Sequence, residues 1–160
     1  MKMAKIKKLA IFDMDGVLVD SSWRYRVSKE DNTKIDLQFW RDNERGAYFD
    51  ELLPMAKEYQ AMLNNPEYFV IIATARTMNT ASWAFIDNKL GKPDAIIYRK
   101  DNDNRGGADM KIAGLKKILS LKQFKNIKDI TMFEDNAKYL KAICDFFKCK
   151  GVYIPSNQGH

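Results

Sequence analysis

Histidine and cysteine are scarce in this sequence of 160 residues. The one histidine is the terminal His160, so a histidine general base and a zinc site with histidine ligands are not expected. The two cysteines, Cys144 and Cys149, lie in or just after a predicted helix and form no metal-ligand pattern. We therefore expect reduced thiols in a cytoplasmic protein.

Long apolar runs are also missing. No segment approaches the length that a membrane-spanning helix needs. The basic N-terminus resembles the start of a signal peptide, but the apolar run at residues 9–12 is too short for one. The expectation is a protein with no membrane partner and no evident obligate protein partner.

The overall composition is that of an ordinary globular domain. Hydrophobic residues make up 46% of the chain and charged residues 30%, and the length suits a single domain with one core. The net charge is +6, carried unevenly by lysine. Such lysine clusters form either a solvated face or a platform for a polyanion. The clustered lysines are Lys2, Lys5, Lys7 and Lys8, and then Lys111, Lys116, Lys117, Lys122, Lys125 and Lys128.

Strand and helix patterns alternate along the chain. Short apolar runs without polar alternation are typical of strands covered on both faces. They occur at residues 9–12, 69–73, 95–98, 130–133 and 151–154. Helical patterns occur at residues 52–63, 80–90, 108–121 and 136–147. This alternation predicts an α/β fold, with a doubly wound, mainly parallel, five-stranded Rossmann-like sheet.

Polar side chains follow four of these strands. In open parallel sheets ligands bind beyond the carboxyl ends of the strands, so these residues should surround one crevice. They are Asp13 and Asp15, Thr74 and Arg76, Arg99, and Glu134 and Asp135.

These residue types suit phosphoryl transfer. Clustered carboxylates without histidine favour a hard cation, and Mg²⁺ more than Ca²⁺ where a phosphate oxygen completes the coordination. An aspartate can attack phosphorus and form an acyl phosphate, while a second acid two residues along an extended strand handles the proton. A threonine and a lysine can donate hydrogen bonds to the phosphoryl oxygens.

The motifs resemble those of haloacid dehalogenase (HAD) superfamily phosphatases. They read "FDMDGVL", "ATAR", a lysine that opens the third helix, and "FEDN". The resemblance implies that Asp13 is the nucleophile and that Asp15 is the general acid/base and a metal contact through its backbone carbonyl. It also implies that Thr74 holds the phosphoryl group and that Asp135 binds Mg²⁺ with Glu134 beside it. The family lysine is assigned to Lys111, with Lys100 and Lys116 as alternatives.

Within this superfamily the chain is similar to the 3′-phosphatase domain of phage-type polynucleotide kinases and their free-standing relatives. The shared features are "TAR" at residues 74–76, the segment "YRKDNDNRGGADMK" and "EDNAKYL". Ala75 stands where that subgroup has glycine, and Glu134 where it has aspartate. No kinase P-loop is present, so no 5′-kinase activity is predicted.

An insert of about 30 residues, residues 21–50, interrupts the alternation after the first motif. We refer to it as the insert and expect it to be a small cap on a single domain, residues 1–160. Phe39 and Trp40 either form its own core or stack on bases. The predicted substrate-binding residues are Arg24, Arg26, Arg76 and Arg99, with Gly16 and Ala75.

The sequence therefore predicts a Mg²⁺-dependent phosphomonoesterase that works through a phospho-aspartate at Asp13. A polynucleotide 3′-phosphatase acting on nucleic-acid ends is the first interpretation, in the host cytoplasm if the chain is encoded by a phage. A 5′-nucleotidase or another small-molecule HAD phosphatase is the alternative. A non-catalytic nucleic-acid-binding module on the same fold is the third possibility.

Overall fold

Five apolar segments pair into one parallel sheet in the computed structural model, which describes residues 5–24, 28–30 and 36–156. In chain order the strands are β1 Lys8–Phe12, β2 Val19–Asp20, β3 Glu51–Leu52, β4 Tyr68–Thr77, β5 Ala95–Arg99, β6 Asp129–Glu134 and β7 Lys150–Tyr153. The α-helices are α1 Leu37–Asp42, α2 Met55–Leu63, α3 Thr80–Phe85, α4 Gly107–Leu119 and α5 Ala137–Phe147. The sheet order is β5-β4-β1-β6-β7, which confirms the predicted fold class.

The strands agree with the sequence pattern, except that β4 is longer than predicted. It continues through Thr74 and Arg76 to Thr77, with an irregular register opposite β5 after Ala73. The predicted helix at residues 80–90 is divided, since α3 passes into a π-helical turn, Ile86–Leu90. Gly91 ends this turn with φ of 106°, a conformation in which glycine meets no steric penalty.

Strand β1 lies in the middle of the sheet, and a hydrophobic cluster covers each of its faces. Ala10 and Phe12 contribute to one hydrophobic cluster, while Leu9 and Ile11 contribute to the cluster on the opposite face. Phe12 also stacks on Phe133 of β6, with ring centroids 4.6 Å apart. Full burial of a side chain such as Leu9, Ile11 or Phe12 contributes roughly 1.5–3 kcal/mol. This packing fixes the end of β1, from which the "FDMDG" motif continues.

A short antiparallel ribbon closes the base of the insert. Strand β2 pairs with β3 in the register Val19↔Leu52 and Asp20↔Glu51, so the insert leaves and rejoins the domain at neighbouring points. Its described part contains α1 and two 3₁₀ segments, Ser22–Arg24 and Glu44–Phe49. Arg26, one of the predicted substrate-binding residues, lies outside the described residues.

Lysines of the two sequence clusters lie near both ends of the strands. Lys111 is on α4 near the carboxyl ends of the strands and is buried. Four other lysines line a groove of about 840 Å³ at the amino ends of the strands, where Phe69 and Asp94 also contribute to the wall. They are Lys5, Lys7, Lys122 and Lys128. Among the described residues, no helix is long and apolar enough to cross a membrane.

Candidate active site

The turn after β1 brings the first motif to the site. The Asp13 amide donates to the Phe133 carbonyl at 2.9 Å and thereby extends the contact between β1 and β6 by one residue. Gly16 then adopts φ of 85°, which a residue with a Cβ rarely adopts. A Cβ at this position would lie 2.0 Å from Asp135 Oδ2. Glycine is therefore required for the loop to approach Asp135, and contact between Gly16 and substrate stays a prediction.

A buried lysine holds two of the predicted acids. Lys111 Nζ donates to Asp13 Oδ1 at 3.0 Å and to Glu134 Oε1 at 2.8 Å. The Lys111 side chain is only 1% exposed. Of the two alternative lysines, Lys100 is exposed and stands over the Tyr98 ring, and Lys116 is exposed on α4. The structure thus brings Lys111, and neither alternative, into contact with Asp13.

Three carboxyl groups meet beside this lysine. Asp13, Glu134 and Asp135 each offer an oxygen, and these oxygens all lie within 4.8 Å of one another. The Asp135 amide donates to Glu134 Oε2 at 3.1 Å, and the Ser156 hydroxyl donates to Asp135 Oδ2 at 2.7 Å. These hydrogen bonds hold the second and third carboxyl groups in place next to Asp13.

The three carboxyl groups share a single buried ammonium group, that of Lys111. Burial and the neighbouring Asp13 charge raise the pKa of Glu134, and burial with the hydrogen bond and charge of Asp13 raises the pKa of Asp135 to about 7. Burial also opposes ionisation of Asp13, but the Lys111 ammonium and hydrogen bonds from the neighbouring carboxyl groups outweigh it and lower its pKa. A divalent cation would allow all three groups to ionise, and an oxygen-only donor set fits a hard cation such as Mg²⁺.

Asp15 points to different partners. Arg76 Nη2 and Nε donate to its Oδ1 and Oδ2, the latter at 3.2 Å, and the Ser21 hydroxyl donates to Oδ1 at 2.6 Å. The side chain of Asp15 is outside the three-carboxyl cluster. The two acids of "DMD" are therefore separated: Asp13 faces Lys111 and the acidic cluster, and Asp15 faces Arg76.

Strand β4 contributes the buried hydroxyl of Thr74 and a backbone carbonyl, that of Ala75, which holds Arg99. Thr74 Oγ1 accepts from the Arg76 amide at 3.1 Å, and Thr74 is 1% exposed. The carbonyl of Ala75 accepts from Arg99 Nε at 2.9 Å. Arg99 Nη1 also donates to the carbonyls of Asp103 and Arg105, so this guanidinium holds the loop after β5. Direct contact of Ala75 or Arg99 with substrate stays a prediction.

Arg24 lies inside the insert. Its Nε and Nη2 donate to the two carboxylate oxygens of Asp50 at 2.9 and 2.7 Å, and its guanidinium stacks on the Trp40 ring at 4.1 Å. The Arg76 guanidinium lies 5.8 Å from the same ring. Trp40 therefore packs on arginine, an arrangement that neither sequence interpretation described. Contact of Arg24 with substrate stays a prediction.

Four polar residues at the site were missed by the sequence reasoning: Ser21, Asp50, Ser82 and Ser156. Asp50 accepts from Arg24, Arg76 and Trp23, whose Nε1 lies 2.9 Å from Asp50 Oδ1. Ser82 accepts from Arg76 Nη1 at 3.2 Å. In the sequence, only the position of Asp50 at the end of the insert could have indicated a role at the site. No sequence pattern marks the three serines.

Solved structures that resemble this chain share its fold. A chain of the Pnkp1/Rnl/Hen1 complex matches with a TM-score of 0.67 and 17% identity, over 94% of this chain and 46% of that chain. CbbY from Rhodobacter sphaeroides, in complex with phosphate, matches with a TM-score of 0.63 and 13% identity over 97% and 89%. A predicted phosphoglycolate phosphatase from Haemophilus somnus 129pt matches with a TM-score of 0.62 and 14% identity over 99% and 90%. This chain thus spans about half the length of the Pnkp1-complex chain.

Sequence comparison supplies the family. No curated protein matches the chain. Residues 1–146 match the family described as Bacteriophage T5 5′-deoxynucleotidase, which is most of the chain. This match agrees with the predicted class of phosphoric monoester hydrolases, and the solved structures add the fold alone. The chain belongs to the bacteriophage T5 5′-deoxynucleotidase family.

Proposed function

We propose that this protein is a Mg²⁺-dependent 5′-nucleotidase that hydrolyses deoxynucleoside 5′-monophosphates through a phospho-aspartate at Asp13. The match of residues 1–146 to a 5′-deoxynucleotidase family carries the choice of substrate. The contact between Lys111 and Asp13, beside a cluster of carboxyl groups, supports the chemistry. The coarser statement, a phosphoric monoester hydrolase, does not depend on this choice.

In the first step an Asp13 carboxylate oxygen attacks phosphorus and the bond from phosphorus to the sugar O5′ breaks. Asp13 suits this role because the Lys111 ammonium keeps its pKa low, so it is ionised at neutral pH. Asp15 gives a proton to the departing O5′. Thr74 and Lys111 donate hydrogen bonds to the phosphoryl oxygens, where negative charge accumulates.

In the second step water attacks phosphorus of the acyl phosphate, and the bond from phosphorus to the Asp13 carboxyl oxygen breaks. Asp15, now ionised, takes the proton from this water, so phosphate leaves and both aspartates return to their starting states. Arg76 contacts both carboxyl oxygens of Asp15 and so holds the orientation of this group. Mg²⁺ bound by Asp13, Asp135 and Glu134, with the Asp15 carbonyl, would neutralise the phosphate charge and its repulsion from the acids.

The position of the basic groove supports a small substrate. Its lysines lie at the amino ends of the strands, and β1 alone, with five residues, separates the two edges by roughly 17 Å at 3.3 Å per residue. A nucleic-acid end bound at Asp13 would not meet these lysines on a direct path. The salt dependence that such a backbone contact produces is therefore not expected here.

The test is a panel of substrates under one set of conditions with Mg²⁺. It comprises deoxynucleoside 5′-monophosphates, their 3′-phosphate isomers, ribonucleoside 5′-monophosphates and 3′-phosphorylated oligonucleotides. We expect the highest kcat/KM with deoxynucleoside 5′-monophosphates, and little change in it between low and moderate salt. A preference for the oligonucleotide end, weakening steeply with salt, would instead support the polynucleotide 3′-phosphatase. The resemblance to the Pnkp1 complex shows the fold alone and does not choose between these substrates.

A further inference from the structure

Asp50 connects the insert to the catalytic motif. It is 4% exposed and stands at the end of the insert, just before β3. Its Oδ1 accepts from Arg24 Nε at 2.9 Å, and its Oδ2 accepts from Arg24 Nη2 at 2.7 Å and from Arg76 Nη2 at 3.3 Å. One carboxylate thus touches an arginine of the insert and an arginine of the central sheet.

The charge of Asp50 is needed where it lies. The side chains of Arg24 and Arg76 are 1% and 3% exposed, and buried guanidinium groups need a charged partner. Asp15 supplies a second carboxylate to Arg76, whereas the guanidinium of Arg24 pairs with Asp50. Asp50 is therefore the acid that allows both arginines to stay beside the site.

Arg76 carries this contact on to Asp15. Its Nη1 donates to Ser82, its Nη2 reaches both Asp50 and Asp15, and its Nε donates to Asp15. A planar guanidinium held on these sides has one orientation, and that orientation places two donors on the Asp15 carboxylate. Loss of Asp50 would remove one of these contacts and weaken the constraint on the orientation of Arg76.

We infer that Asp50 is a positioning residue, which acts through Arg76 to orient Asp15 for proton transfer to the leaving group. This inference rests on the proposed function, because it assumes that Asp15 is the general acid. It adds that the insert helps to set the geometry of the catalytic acid. Asp50 itself is not a member of the acidic cluster.

Two substrates separate positioning from general damage. A deoxynucleoside 5′-monophosphate expels an alkoxide, which needs a proton, whereas p-nitrophenyl phosphate expels a phenolate that leaves without one. For Asp50→Asn we expect kcat/KM on the nucleotide to fall by about 100-fold, the lower end of what general acid catalysis supplies. On p-nitrophenyl phosphate the loss should stay within several-fold. The ratio of the two losses does not depend on how much of the preparation is folded.

The matched control is Asp42→Asn. Asp42 is an exposed acid on α1 of the same insert and accepts a hydrogen bond from Gln38. This variant should keep the wild-type ratio. A second variant, Asp50→Asn with Arg24→Gln, removes one charge of each sign and so guards against misfolding from an unpaired buried arginine. It should show the same selective loss on the nucleotide.

Each outcome is informative. If wild type hydrolyses neither substrate, the proposed function fails before Asp50 is tested. Suppose that wild type is active and that Asp50→Asn, alone and together with Arg24→Gln, loses activity equally on both substrates. Asp50 is then structural and the inference is overturned. A selective loss on the nucleotide, with a flattened limb of the pH profile for that substrate, supports positioning of Asp15.

Discussion

The two edges of the central sheet use lysine in opposite ways. At the carboxyl edge Lys111 is 1% exposed and lies between Asp13 and Glu134. At the amino edge Lys7 and its partner Glu67 are 62% and 45% exposed and 3.4 Å apart. A buried charge that loses its partner destabilises the protein strongly, while an exposed pair contributes little. The same residue type is thus a part of the site at one edge and a solvated surface at the other.

The strongest test of the carboxyl edge is Asp13→Asn. Asparagine keeps the shape of the side chain but is not a nucleophile toward phosphorus, so we expect kcat to fall by at least about 1,000-fold, given how much a covalent nucleophile contributes when removed. Steady-state rates with a deoxynucleoside 5′-monophosphate measure this. Asp87→Asn, an exposed acid in the π-helical turn, is the control. Equal rates in Asp13→Asn and wild type would disprove the phospho-aspartate.

Lys111→Met should reduce both stability and activity. It leaves Asp13 and Glu134 buried without their cation, and removing one partner of a buried pair costs about 3 kcal/mol or more in the free energy of unfolding. We also expect kcat to fall by about 100-fold, as for loss of one donor to a developing negative charge. Denaturant unfolding and steady-state kinetics measure the two effects. Lys116→Met, exposed on the same helix, should change neither.

The pH dependence of stability should reveal the uncompensated acids. In the metal-free protein the pKa of Asp135 is raised from 3.8 to about 7, so between these values the folded state binds more protons than the unfolded state. Stability should therefore fall as pH rises from about 4 to about 7 through this group. Saturating Mg²⁺ should remove the decline by binding the ionised carboxylates. Thermal unfolding in chelator and in Mg²⁺ measures this, and identical profiles would argue against a cation at the cluster.

The smallest effect is expected at the amino edge. Lys122→Gln with Lys128→Gln removes two exposed charges from the groove but none from the site. We expect kcat/KM on a deoxynucleoside 5′-monophosphate to change by less than about twofold, since exposed charges at this distance are screened by salt. A large loss that disappears at high salt would show that the groove takes part in substrate capture.

Much of the fold followed from local patterns. The apolar runs at residues 9–12 and 130–133 have no polar alternation because their strands are covered on both faces, so their type and parallel pairing could be predicted. The carboxyl ends of these strands also placed Asp13, Glu134 and Asp135 together. The extension of β4 to Thr77 could not be predicted from the sequence, because it depends on an irregular pairing with β5.

The sequence by itself determined the α/β class, the order of the motifs and the chemistry of the acids, because strand ends and residue types are local properties. Only the tertiary structure decided the partners. In the folded protein Lys111, and not Lys116, contacts Asp13. Arg99 donates to backbone carbonyls, and Arg76 donates to Asp50 across the base of the insert. These contacts join residues far apart in the chain, so they depend on how the helices and the insert pack on the sheet.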